Sequence, residues 1–122
     1  MSISRVVAGG GGIVLVAVGL WAMLDARSFF DVIATYPPYN HHLLHDIGAF
    51  NLGLGATLLL ALAWRDALLV GLTGVGIGAT AHALAHWADQ HLGGSPLDPP
   101  LLSLFALVLV GGAVLRWREL RA

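Results

Sequence analysis

The chain has no cysteine, which excludes disulfides, thiolate metal centres, iron–sulfur clusters and cysteine nucleophiles together. It has no lysine either, and its six arginines stand against seven acidic residues for a formal net charge of −1. That balance lacks the basic footprint that nucleic-acid binding requires, so no nucleic-acid partner is expected. Charge of any sign is scarce: 11% of the 122 residues are charged and 57% are hydrophobic, where soluble domains carry about 25% charged residues. A chain this small has too much surface to hide so much apolar mass behind a polar shell. The excess must face lipid, and the bilayer is the first partner the composition implies.

Four apolar stretches, at about residues 6–24, 43–64, 67–88 and 101–117, approach the roughly 20 residues that cross a hydrocarbon core of about 30 Å. Arg5 before the first run resembles the start of a signal peptide. Asp25 and Arg27 follow that run in place of a small-residue cleavage site, so the span is expected to stay in the mature protein. Between the first two spans, Phe29, Phe30, Val32 and Ile33 are interspersed with Asp25, Arg27 and Asp31, which predicts a short amphipathic helix lying in the interface. Tyr36-Pro37-Pro38-Tyr39 stops it, with the two tyrosines at headgroup level. Only Arg65 and Asp66 join spans two and three, which predicts a tight antiparallel hairpin. The connection 89–100, with Gly93, Gly94, Pro96, Pro99 and Pro100, reads as a loop. The expected fold is therefore all-α, a single four-span integral membrane bundle over residues 1–122.

Orientation follows from arginine, because positive residues stay on the cytoplasmic side. Arg5, Arg65, Arg116, Arg118 and Arg121 fall on the side of the termini and Arg27 alone on the other, five against one. The expectation is a multi-pass protein of the plasma (inner) membrane with both termini cytoplasmic and all six histidines at the outer end.

Those histidines fall in two tracts. Span two opens with Asn40-His41-His42-Leu43-Leu44-His45-Asp46, and span three closes with His82, His86, Asp89 and His91. His41 and His45 are one helical turn apart, as are His42 and Asp46, and His82, His86 and Asp89 follow at i, i+4 and i+7. A short hairpin would bring the two tracts level. Imidazoles one turn apart can converge on one ion, so His41, His42, His45, His82 and His86 are expected metal ligands. Asp46 and Asp89 serve either as ligands or as acceptors that fix a histidine tautomer. Interfacial decoration is the structural alternative, since histidine tolerates membrane surfaces. His82, about 10 Å inside the span end by helical rise, is expected in the bundle interior, where ionisable groups are seldom without function. His91 belongs to the loop. Gly74 and Gly78 precede His82 and His86 at i+4 spacing, and Ala49 and Gly53 continue the stripe of His42 and Asp46, as residues that let helices pack closely. Asn51 should find a partner across the bundle, with Thr80 or Thr73 available.

The tract from Tyr36 through His42, continued by His45-Asp46-Ile47-Gly48-Ala49-Phe50-Asn51-Leu52-Gly53-Leu54-Gly55, resembles the second-helix signature of small actinobacterial membrane proteins. These are similar to the broader DoxX-like group. His82 to Asp89 and the Gly93-Gly94 loop are the second half of the likeness. The resemblance implies four spans with an interfacial segment after the first, and no activity. The group at large does not carry this histidine set.

Three functions follow from the residues. The first is a divalent metal site for Zn, Fe or Cu, all compatible with imidazole and carboxylate. Its chemistry would be Zn-bound water attacking a lipid-soluble ester or amide, with Asp46 or Asp89 as base. The second is haem b held by one histidine from each tract, in an accessory subunit of a larger membrane complex. The third is a non-catalytic scaffold or an ion path, the latter disfavoured because the cytoplasmic halves of the spans hold almost no polar residue beyond Thr57 and Thr73. A homo-oligomer is compatible with each.

Overall fold

The computed structural model describes residues 2–64 and 67–122. Its helices are α1 (Ile3–Leu24), α2 (Ala26–Val32), α3 (His41–Ala61), α4 (Ala67–Ala88) and α5 (Asp98–Arg121), with a 3₁₀ turn at Gln90–Leu92. Among the described residues there is no strand. α1, α3, α4 and α5 are each long and apolar enough to cross a membrane, and the chain is an all-α four-helix bundle with a short helix between the first two spans. The Arg65-Asp66 connection lies outside the described residues.

Local chemistry sets the helix ends. Asp25 accepts the Ser28 backbone N–H at 3.1 Å and caps α2. That hydrogen bond and the Ser28 hydroxyl hold the Asp25 carboxyl below its ordinary range. Asn40 Oδ1 accepts the Leu43 N–H at 3.1 Å, so α3 starts at His41, two residues before the apolar run does. α5 begins at Asp98 rather than at residue 101, because Pro99 and Pro100 fall in its first turn, where a backbone donor is not required. It continues past Trp117 to Arg121, with Arg118 and Arg121 in the last turn opposing the helix dipole.

Helices in lipid associate by close contact rather than by hydrophobic drive, so backbone approach decides the packing. α1 and α3 meet through two reciprocal glycine contacts. A Cβ at Gly12 would lie 3.1 Å from the Gly55 carbonyl oxygen, and one at Gly55 would lie 2.8 Å from that of Gly12. Gly19 and Gly48 repeat the arrangement at 2.8 and 3.0 Å. The two glycines on each helix are seven residues apart and so share a face. α4 packs chiefly on α5, where a Cβ at Gly76 would stand 3.2 Å from Val110. Gly112 brings α5 against Val7 of α1, and Gly71 brings α4 against Ala61 and Leu58 of α3. Leu15, Leu58, Leu68, Leu72, Val75 and Leu109 fill the centre. Gly53, Gly74 and Gly78 have open space where a Cβ would go, and Ala49 is exposed. The packing expected of them belongs to other glycines, because Gly53 and Gly74 each lie two residues from a contact glycine and so face away from it.

Two polar clusters close the ends. At the end of the termini, fully buried Ser4 donates to the Glu119 carboxylate, 2.8 Å from Oε2, and Arg116 Nη1 donates to the same oxygen at 3.1 Å. Arg5 Nη2 donates to the Leu62 carbonyl at 2.9 Å. This end is therefore more polar than Thr57 and Thr73 alone suggest. At the other end a satellite core of Ala22, Ala26, Phe29 and Leu44 joins α1, α2 and α3. Trp21 Nε1 donates to Ser28 Oγ at 2.7 Å, and Arg27 lies 5.2 Å from the Tyr39 ring centroid.

The glycine seam gives a direct test. Gly48→Ala forces its methyl against the α1 backbone and should cost about 1–3 kcal/mol of stability, whereas Gly53→Ala, five residues on and facing open space, should be neutral or slightly stabilising. Denaturant titration of helicity in detergent micelles checks both. Equal losses would remove the seam from its place in the fold.

Candidate functional site

The structure sorts the histidines into two separate pairs, each attached to one of the chain's two tyrosines. On α4, His82 Nε2 and His86 Nε2 stand 3.0 Å apart, and His86 Nδ1 lies 3.1 Å from the Tyr36 hydroxyl. The Tyr36 and His86 rings meet edge to face with centroids 5.5 Å apart. On α3, Tyr39 Oη lies 2.8 Å from His41 Nδ1, and the His41 and His45 rings lie against each other, centroids 4.1 Å apart and tilted by 57°. His42 Nε2 and Asp46 Oδ2 are 3.6 Å apart on a largely exposed flank. His91 sits exposed in the 3₁₀ turn.

The two tracts, expected to be brought level by a short hairpin, share none of these contacts. Among the described residues no three histidine, aspartate or glutamate side chains gather where they could hold one ion. Rotation of α3 is the reason. His41 lies seven residues before Gly48, so it heads the stripe that Gly48 and Gly55 turn toward α1, and His45 follows on its flank. These rings therefore go with the α1–α2 elbow, while His82 and His86 belong to a helix whose main partner is α5. His82 is also not enclosed by the bundle as expected; the residue is exposed. Asn51 and Thr80 do not pair across helices either. Asn51 Nδ2 donates to the Ile47 carbonyl and Thr80 Oγ1 to that of Gly76, each at 2.8 Å.

Tyr36 is the residue that composition did not single out. The Gly93-Gly94 loop lies directly across it: a Cβ at Gly94 would stand 2.5 Å from Tyr36 Oη, and the Gly94 N–H donates to Thr35 O at 3.1 Å. Gly94 has φ +82° and Gly93 φ +137°, conformations open to glycine at little cost. Burial, then the nearby Asp98 and Asp89 carboxylates, push the Tyr36 hydroxyl above its ordinary pKa, so it remains a neutral phenol. Asp89 thus acts on Tyr36 through its charge. The signal in the sequence was the placement of both tyrosines in the turn immediately before His41.

A neutral His86 gives this constellation two tautomeric readings. Either Tyr36 donates to Nδ1 and His86 Nε2–H donates to His82, or Nδ1–H donates to Tyr36 Oη and leaves the Nε2 lone pair free. In the second state, with His82 protonated on Nδ1, both Nε2 lone pairs are available to a cation. Two imidazoles on one ion at about 2.0–2.1 Å place their nitrogens about 2.9 Å apart at a right angle and about 3.4 Å apart at the tetrahedral angle. The observed 3.0 Å falls within that range.

No family model, curated protein or solved structure matches this chain.

Tyr36 should register in alkaline titrations. Its raised pKa means that the stability tied to the neutral hydroxyl is fully present below about pH 10 and is lost as pH rises through the higher folded-state value. Tyr36→Phe should remove that share of the alkaline loss. Thermal melts from pH 9 to 12, followed alongside phenolate absorbance, measure it, and identical profiles for the two proteins would contradict the assignment.

Proposed function

We propose that this protein is a plasma-membrane metal-binding protein in which His82 and His86 form a two-nitrogen clamp at the outer end of α4. The supporting observation is the 3.0 Å Nε2–Nε2 separation, with the His86 ring held through Nδ1 by Tyr36. A partner on the ring nitrogen away from the metal, fixing the ring's orientation, is what metal-ligating histidines ordinarily have. Zn, Fe or Cu as divalent ions suit two imidazoles. Both termini are placed in the cytoplasm by the arginine distribution, so the clamp would meet metal from outside the cell. The α3 histidines, His41, His42 and His45, with Asp46, are a lesser surface set in this reading, since a tilted ring contact and an exposed carboxylate engage them already.

Binding is favoured over turnover. Asp46 stands with His42 on α3, and among the described residues Asp89 does not gather with His82 and His86, so neither is held as a base beside the clamp. Haem b needs imidazoles from two elements facing each other across a macrocycle, and the α3 rings are turned toward the α1–α2 elbow. A second reading has a specific observation behind it. The unbroken sequence Tyr36 Oη, His86, His82, with steps of 3.1 and 3.0 Å, is also a short proton relay.

Metal titration separates the two. Imidazole ligates only when neutral, and its ordinary pKa is about 6.5, so acid competes with metal for the same nitrogens. Zn²⁺ at a hundredfold excess over Kd should stabilise the folded protein by about 2.7 kcal/mol. The gain should shrink below about pH 6 and vanish in His82→Ala and His86→Ala. Melting with Zn²⁺ or chelator across pH 5 to 8 reads this directly. A melting temperature indifferent to metal, chelator and both substitutions would leave the relay as the reading to pursue.

A further inference from the structure

Between α4 and α5 the bundle leaves a groove open on its outer surface. Leu69, Thr73 and Ile77, each one turn after the last, line one wall, and Val110, Val114 and Trp117 line the other. Ile77, Val114 and Trp117 are exposed along it. The groove holds 380 Å³ and runs from the level of Val110 to that of Trp117, seven residues or about 10 Å by helical rise. One leaflet of hydrocarbon is about 15 Å deep, so the groove has the length to seat most of the leaflet portion of one acyl chain.

The mouth of the groove is charged. Arg121, one turn beyond Trp117, sets its guanidinium 4.0 Å from the centroid of that ring, and Arg118 is its exposed neighbour three residues before. Arg116 turns inward instead, where it and Ser4 both donate to Glu119. The acidic side chain nearest in sequence is therefore engaged elsewhere, and among the described residues no carboxylate pairs with Arg118 or Arg121. Two guanidinium groups at the end of a span present forked donors of the kind that phosphate accepts.

Thr73 supplies an independent observation. Thr57 and Thr80 give their hydroxyls to carbonyls of their own helices, whereas that of Thr73 makes no hydrogen bond among the described residues. It stands six residues, or about 9 Å by rise, inside α4. A hydroxyl at that depth gains from an acceptor, and the ester carbonyl below a phospholipid headgroup is the acceptor that a bilayer offers.

We propose that the α4–α5 groove holds one anionic phospholipid of the leaflet on the side of the termini. Its acyl chain lies between Ile77 and Val110, an ester carbonyl accepts from Thr73, and its phosphate is held by Arg121 and Arg118. Basic groups beside spanning helices at the cytoplasmic face bind anionic headgroups through the same charge attraction. A zwitterionic lipid, whose phosphate carries its own cation, fills the groove but leaves the arginines without a net counter-charge. The inference is independent of the His82–His86 clamp, which lies at the opposite end of α4.

The test is lipid retention. Protein reconstituted in liposomes of equal phosphatidylglycerol and phosphatidylcholine, then released into mild detergent, should keep one phospholipid per chain in native mass spectra. Phosphatidylglycerol should be preferred about 25-fold, the product of about fivefold for each arginine near an anionic headgroup. Arg118→Gln and Arg121→Gln should each lower that preference about fivefold. Thr73→Phe, which fills the groove from an exposed position, should remove the retained lipid with both arginines in place, and Ile77→Trp does the same from one turn further along should Thr73→Phe lose helicity. No retained lipid, or equal retention of the two lipids, would overturn the proposal. A preference unchanged by both arginine substitutions would overturn it too, as would retention that survives Thr73→Phe and Ile77→Trp.

Discussion

The backbone contact between α1 and α3 fixes more of this molecule than any other interaction. Gly12 and Gly19 face Gly55 and Gly48 so closely that neither helix could carry a Cβ at these positions without displacement of its neighbour. In lipid there is no water to expel from between helices, so this approach, with the van der Waals contact it allows, holds the pair together. It also fixes rotation. Once Gly48 and Gly55 point at α1, every other residue of α3 has its direction assigned, and His41 and His45 are carried to the side of α2. The separation of the two histidine pairs is a consequence of glycine packing further along α3.

Tyr36 and Tyr39 then divide what the glycines separated. Both belong to the short turn that returns the chain from α2 to α3, and each places its hydroxyl on the Nδ1 of a different histidine. Tyr39 is held in the elbow by Phe30, at 5.3 Å between ring centroids, and by the Arg27 guanidinium. Tyr36 is held from the opposite direction by the Gly93-Gly94 loop. A side chain at Gly94 would occupy the place of the Tyr36 hydroxyl, so the loop's sequence and the orientation of His86 are one constraint.

Four helices were legible in the sequence because long apolar runs in a chain this poor in charge have few alternatives. Their ends were not, because backbone chemistry outside the apolar runs sets them: Asn40 at α3 and Pro99 at α5 each start a helix before its apolar run does. The one-turn spacing of His82 and His86 was also legible, and the structure brings their nitrogens together. Rotation was not. Hydrophobic periodicity ordinarily reveals which face of a helix points inward, but a span surrounded by lipid is apolar all round, and that signal is lost. Gly53 and Gly55 look equivalent in sequence, yet only Gly55 meets another helix. Tyr36 was hidden for a different reason, since its partner His86 lies fifty residues away.

The polar residues within the spans argue for a local role at the histidine end rather than a route through the bundle. Thr57 donates to the Gly53 carbonyl at 2.9 Å, Thr80 to Gly76 and Asn51 to Ile47, so each satisfies its own helix and none reaches a neighbour. Thr73 lines an apolar surface groove of 380 Å³ between α4 and α5, with Leu69, Ile77 and Val110 among its walls. Between the Tyr36–His86–His82 chain at one end and the Ser4–Glu119–Arg116 cluster at the other, the centre is leucine, valine and alanine. A proton or ion crossing that layer would lose its hydration with no side chain to replace it, a cost of several kcal/mol at the least. The polar chemistry of each end is therefore confined to that end, with His82 exposed on α4 and His86 half-buried against Tyr36.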